Sequence, residues 1–146
     1  MAAATSIHAS AVLVGARAVL IRGPSGAGKS QLALALLQAA EQSQFPFTRL
    51  VSDDRTMVEA AHGRLLARPA PNLNGLIEVR GLGVRRVPYE PVAVVFLIVD
   101  LAAEAERLPA PDAQIATIEG IFLPRLAVAS TVAPLPLLRA AMALRA

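Results

Sequence analysis

The eight residues Gly23-Pro24-Ser25-Gly26-Ala27-Gly28-Lys29-Ser30 match the pattern G-x-x-x-x-G-K-[ST] at every position, and the stretches on either side are those such a loop needs. Ahead of it, Ala18-Val19-Leu20-Ile21 reads as a short buried strand. Behind it, Gln31 to Ala40 is rich in Leu and Ala and free of Gly and Pro, a strong helix former. Strand, glycine loop and helix in that order predict a P-loop. Its chemistry is geometric: glycines let the backbone turn its N–H groups inward around a polyphosphate, and the helix N-terminus adds partial positive charge. On this reading residues 23 to 30 form the phosphate cradle. The Lys29 ammonium reaches the β- and γ-phosphates and the Ser30 hydroxyl ligates Mg²⁺.

Lys29 is also the only lysine among 14 basic residues. Where the chain needs only a positive charge it uses Arg. The exception points to a position that takes a compact ammonium and not a planar guanidinium.

Hydrophobic residues make up 55% of the 146 positions and charged ones 17%, which predicts one folded α/β domain over residues 1–146 and excludes a disordered chain. The apolar run Pro91 to Val99 stops at Asp100, short of the roughly 20 residues of a membrane helix. No basic residue precedes the apolar part of the N-terminus, so a secretory signal is not expected. The absence of cysteine rules out disulfides and thiolate metal sites and fits a cytoplasmic protein. A net charge of +3, with four Phe, one Tyr and no basic run longer than Arg85-Arg86, gives no platform for nucleic acid.

Ser6 to Val14 reads as a first strand and Gly15-Ala16 as the turn into the strand before the P-loop. The helix after the loop carries Leu and Ala on nearly every face, which predicts burial on more than one side. Leu50-Val51-Ser52 is a short apolar run ending in Asp53-Asp54, two carboxylates at the strand end where open α/β sheets bind ligands. Thr56 to Ala61, His62-Gly63 and Arg64 to Ala67 predict a hairpin. In Ile77-Glu78-Val79-Arg80-Gly81-Leu82-Gly83 an acid and a base flank an apolar residue just before two glycines that permit close approach to a ligand. Ala93 to Val99 is the most apolar strand, and Asp100 at its end has the pattern of a Walker B aspartate. Ala102 to Asp112 reads as a loop or short helix, Ile121 to Val128 as a last strand, and Pro134 to Ala146 as a terminal helix.

In this order, Ile7-His8, Gly23 to Ser30, Leu50 to Arg55 and Ile77 to Gly83 resemble the catalytic domain of HPr kinase/phosphorylase, with Glu106-Arg107-Leu108 as a weaker fifth block. The P-loop is shared by many families, whereas Glu78-Val79-Arg80-Gly81-Leu82-Gly83 is the specific signature. The resemblance is to the short form, the catalytic domain alone. It implies an α/β P-loop kinase domain with a mixed β-sheet, ATP and Mg²⁺ as cofactors, an HPr-like phosphocarrier protein as partner, and a homo-oligomer, a hexamer in the family. It implies Asp54 as the general base on the substrate serine, supported by His8. It implies Glu78 with Ser30 as Mg²⁺ ligands in place of Asp100, and Arg107 as an arginine at the transferring phosphate.

Two differences from the family pattern carry expectations of their own. Gln31 stands where the family usually has Glu. Ser130 to Pro134 has no basic residue where the family's phosphorolysis region is basic, so transfer from ATP is expected to exceed phosphorolysis. The rival readings are a nucleotide-binding regulatory module without turnover and a small-molecule P-loop kinase. A guanine-reading Asn-Lys-x-Asp motif cannot form, because the one lysine follows Gly28.

Overall fold

The computed structural model describes residues 4–43 and 45–144. Eleven strands are formed in it: β1 (Thr5–Ile7), β2 (Ala9–Val14), β3 (Arg17–Arg22), β4 (Thr48–Ser52), β5 (Thr56–Ala61), β6 (Arg64–Pro69), β7 (Leu76–Val79), β8 (Gly83–Arg86), β9 (Ala93–Leu101), β10 (Ile115–Ile118) and β11 (Ile121–Val128). The helices are α1 (Lys29–Glu41) and α2 (Pro134–Ala143), with a short 3-10 turn at Pro111–Gln114.

Nine strands make one mixed sheet in the order β1-β5-β6-β9-β3-β2-β4, with β11 added to β9 and β10 to β11, while β7 and β8 form a separate hairpin. Three strands at the centre are parallel: β3 pairs with β9, and β9 with β11. The P-loop leaves the end of β3, so the fold presents it at the C-terminal edge of that trio, where parallel sheets bind ligands.

Alternation along the strands fills two cores. Ala11, Leu13, Ala18 and Leu20 join Val51, Val58 and Leu65 on one face. Their neighbours Val12, Val14, Val19 and Ile21 meet Leu32, Ala33 and Leu36 of α1 and Leu138 of α2 on the other. With both faces covered, β2 is buried at all six positions, which is why it reads as an unbroken apolar run. In α1 one stripe is fully buried, and Leu34 and Leu37 are half-buried, so the wider burial expected from its composition is only partly realised. The flanking apolar face explains the composition without full burial.

The predicted strand Ser6 to Val14 is two strands, broken at His8. β1 pairs with β5, whereas β2 pairs with β3 and β4. The loop between β4 and β5 makes the same change of partner. Ile7 lies opposite Thr56 on one side of the break and Ala11 opposite Ser52 on the other. Residues 8–10 and 53–55 therefore run side by side at the seam where the sheet curls from one set of strands to the other. Thr56 Oγ1 bonds the Ala9 carbonyl at 2.7 Å and closes that seam from within. The hairpin at His62-Gly63 forms as expected, both turn residues having positive φ (51° and 75°) as a two-residue connection requires. β10 was not anticipated, and α2 ends at Ala143; residues 145 and 146 of the expected helix lie outside the described residues.

Candidate functional site

α1 starts at Lys29 with Gly28 as its cap at φ 101°, a left-handed conformation that a side chain would strain. No side chain caps this end and its first turn holds no acidic residue. The N–H groups and the positive end of the helix dipole thus lie at the end of the glycine loop of residues 23 to 28. Lys29 is 5% exposed. Its Nζ donates to the carbonyls of Gly23 at 2.9 Å and Pro24 at 3.1 Å, which hold the ammonium across the loop.

Beside it opens a cavity of about 320 Å³, lined by Lys29 and Ser30 on the P-loop side and by His8, Asp54, Glu78 and Arg80 opposite. The curl of the sheet supplies His8 and Asp54, and the β7–β8 hairpin supplies Glu78 and Arg80. His8 Nε2 lies 2.5 Å from Asp54 Oδ1. An ionised carboxylate can only accept, so the histidine donates from Nε2. Asp54 has φ 65°, an uncommon conformation for a residue other than glycine and one often found at active sites. Its backbone N–H is held at 3.0 Å by the Ser10 hydroxyl, and its side chain stands exposed in the cavity.

Asp53 turns the other way. It is 8% exposed, and its Oδ1 accepts from the hydroxyls of Ser10 at 2.9 Å and Ser30 at 2.7 Å. Its Oδ2 accepts from the backbone N–H of Glu78 at 3.0 Å. One carboxylate therefore ties together the seam, the first turn of α1 and the β7–β8 hairpin. Sequence reasoning noticed the pair and gave a role only to the second member; Ser10 and Arg80 also went unassigned. The signal for Arg80 was its place in the signature block beside Glu78. Ser10 had none beyond lying two residues after His8.

Asp100 sits where the pattern put a Walker B aspartate, at the end of the strand beside the P-loop strand. Both its oxygens are occupied. Oδ1 and Oδ2 accept from Arg22 Nε and Nη2 at 2.7 and 2.8 Å, and Oδ2 also accepts from Arg125 Nε at 2.5 Å. Burial raises the carboxyl's pKa, but the hydrogen bonds and charges of the two guanidinium groups outweigh it and hold the group below its ordinary value. This cluster joins β3, β9 and β11 just before the P-loop. Arg107 lies in the exposed loop after β9 and does not line the cavity. A larger cavity of about 630 Å³ lies at the far end of α1 against Phe45 to Arg49, away from these groups.

For a divalent cation the oxygen donors lining this cavity are the Ser30 hydroxyl and the carboxylates of Glu78 and Asp54, with Asp53 behind them holding Ser30 and the Glu78 backbone. The described residues hold no cluster of three or more acidic, His or Cys side chains placed to enclose a metal. That donor set suits Mg²⁺, which is held by one or two carboxylates together with phosphate oxygens and water.

Residues 1–89 match the family described as HPr Serine kinase C-terminal domain. An HPr kinase/phosphorylase of Limosilactobacillus reuteri is 34% identical over 137 residues, covering 84% of this chain and 40% of the relative. Those of Streptococcus thermophilus and Clostridium tetani are 41% and 36% identical over 85 and 88 residues, which is 58% and 60% of this chain and 25% and 27% of the relatives. The chain thus spans well under half the length of the curated relatives it matches. Among solved structures, the HPr(Ser) kinase/phosphatase from Coxiella burnetii superposes with a TM-score of 0.72 over 94% of this chain and 86% of that one, at 23% identity, and shares its fold. With the family match extending from the start of the chain through the signature block, the chain belongs to the HPr serine kinase C-terminal domain family.

Proposed function

We propose that this chain is a single catalytic domain that transfers the γ-phosphoryl group of ATP to a serine of an HPr-like phosphocarrier protein. The observation that carries the reading is the placement of the His8–Asp54 pair across one cavity from Lys29 and Ser30. The serine oxygen forms a bond to the γ-phosphorus as the bond to the β-phosphate bridging oxygen breaks. Asp54 takes the hydroxyl proton, and in the reverse direction the same carboxyl returns it. His8 fixes the carboxylate's direction, and the exposure of Asp54 leaves room for a side chain brought by another protein.

Lys29 exchanges its two carbonyl partners for phosphate oxygens, and the N-terminus of α1 takes the rest of the polyphosphate charge. Ser30 and Glu78, with Asp53 aligning both, would hold Mg²⁺, which when bound neutralises charge on the β- and γ-phosphates. Arg80 already faces the cavity and can stabilise the equatorial oxygens. Arg107 would reach them only by movement of its loop. Among the described residues no helix is long and apolar enough to cross a membrane, and a cytoplasmic site of action, with assembly into a homo-oligomer, accords with such a kinase.

The relatives' names pair kinase with phosphorylase. This counts against the expectation of a one-way enzyme and against a module without turnover. The test is transfer of label from γ-labelled ATP to purified HPr, with an HPr lacking the target serine as control. Transfer that needs that serine and is lost in Asp54→Ala is expected. Failure to label HPr, or transfer undiminished by Asp54→Ala, would overturn the assignment.

A further inference from the structure

A second cavity of about 390 Å³ adjoins the first and meets it at Gly28 and Gln31, the entrance to α1. It lies at the C-terminal ends of the three parallel strands: the P-loop after β3, Leu101 and Ala102 after β9, and Val128 to Pro136 after β11. Its size falls within the roughly 300–1,000 Å³ of small-molecule sites. In a parallel sheet this edge is where the rest of a ligand held by the first βα turn must lie. A triphosphate with its γ end beside Asp54 and Glu78 has its nucleoside directed past Gly28 and Gln31, into this slot.

The lining is chemically quiet. Its side chains are Ala, Leu, Val and Pro apart from Gln31 and Ser130, with no charged or aromatic group. Two backbone carbonyls that could read a base edge are already engaged. The Val128 carbonyl accepts from Ala103 N–H and the Ala129 carbonyl from Val132 N–H, both at 3.0 Å. Pro134 and Pro136 have no N–H to offer.

Adenine and guanine differ in the donors and acceptors on their edges, so a wall with few fixed partners cannot tell them apart. We infer that this slot seats the nucleobase and ribose by shape and apolar contact, with Gln31 and Ser130 its two polar side chains, so that the phosphates carry most of the binding and purine triphosphates substitute for one another. This rests on the reading of the P-loop as a triphosphate site.

The test compares ATP, GTP and inorganic tripolyphosphate by calorimetry with Mg²⁺ present. For the unaltered protein, ATP and GTP dissociation constants within about tenfold of each other are expected, whereas a site that hydrogen-bonds the base edge discriminates by about 10⁴. A wider gap than tenfold overturns the inference. In Ala35→Leu the added side chain enters the slot from α1 while keeping a good helix former. That variant should lose at least about tenfold in ATP affinity and hold tripolyphosphate within about twofold, as expected when only apolar burial is obstructed. A smaller loss for ATP, or a parallel loss for both ligands, refutes the placement. If the unaltered protein binds neither ATP nor tripolyphosphate, the P-loop reading falls as well, whereas tripolyphosphate binding with strong base selection removes only the slot.

Discussion

Asp53→Asn tests the network that shapes the site. The carboxylate accepts three hydrogen bonds, from Ser10, Ser30 and the Glu78 backbone, while 8% exposed. Asparagine keeps the shape but replaces one acceptor oxygen by an NH₂ group. If that group faces Glu78, it meets a backbone N–H that is also a donor. If it faces the serines, their hydroxyls must reorient, and Ser10 already accepts from Asp54 N–H. Each bond to the charged group is worth about 1.5–3 kcal/mol against about 0.5–1.5 for a neutral one, and one of the three is lost outright. The expected destabilisation is about 2–4 kcal/mol, which for a domain of this size lowers Tm by roughly 5–15 °C. The assay is thermal melting by circular dichroism together with Mg²⁺ titration of ATP binding, which should demand more metal once Ser30 and Glu78 are no longer aligned. Ser10→Ala removes one donor to Asp53 and the acceptor for Asp54 N–H, and combined with Asp53→Asn it should be less than additive. A melting temperature within about 2 °C of the unaltered protein, with an unchanged Mg²⁺ requirement, would refute the reasoning.

Lys29→Ala should abolish transfer and weaken ATP binding, and Lys29→Arg should not restore wild-type turnover, because a planar fork cannot make the same contact in a 5% exposed position; full activity in Lys29→Arg counts against the P-loop assignment. Glu78→Gln should raise the Mg²⁺ requirement for ATP binding, whereas Asp100→Asn, its carboxylate already bound to two arginines, should leave that requirement unchanged at temperatures where it stays folded; the opposite ranking would return the metal to Asp100. Because the folded-state pKa of Asp100 lies below its ordinary value near 3.8, the stability it contributes is present above that pH and is lost as pH falls through the folded value, so the melting difference between the unaltered protein and Asp100→Asn should shrink in that acid range; a constant difference would show that the arginine pairs contribute little. Arg80→Ala should lower kcat more than Arg107→Ala, since only Arg80 lines the cavity, and a larger loss from Arg107→Ala would show that its loop closes over the phosphate.

What the sequence made legible follows the range of the interactions. The P-loop, its strand and its helix are local, fixed by glycine conformations and by propensity over about ten residues, and they formed where the pattern put them. The Asp100 pattern was equally local and equally sound about the strand, but its function depended on Arg22 and Arg125, partners 78 and 25 residues away. No window along the chain brings those together. The same holds at the seam. Nothing in Ser6 to Val14 announces a break at His8, because both halves satisfy the strand pattern. The break arises because β1 and β2 pair with different neighbours, and the β4–β5 connection must break opposite it. Asp53 and Asp54 are consecutive in sequence, yet a positive φ at Asp54 turns one carboxylate inward to the serines and the other outward to His8. The curl of the sheet thus sorts two identical side chains into a buried carboxylate held by serines and an exposed one paired with His8. It follows that a change forcing φ negative at Asp54, with the carboxylate itself kept, would move that carboxylate away from His8, so the turn contributes to the pair as much as the residue it carries.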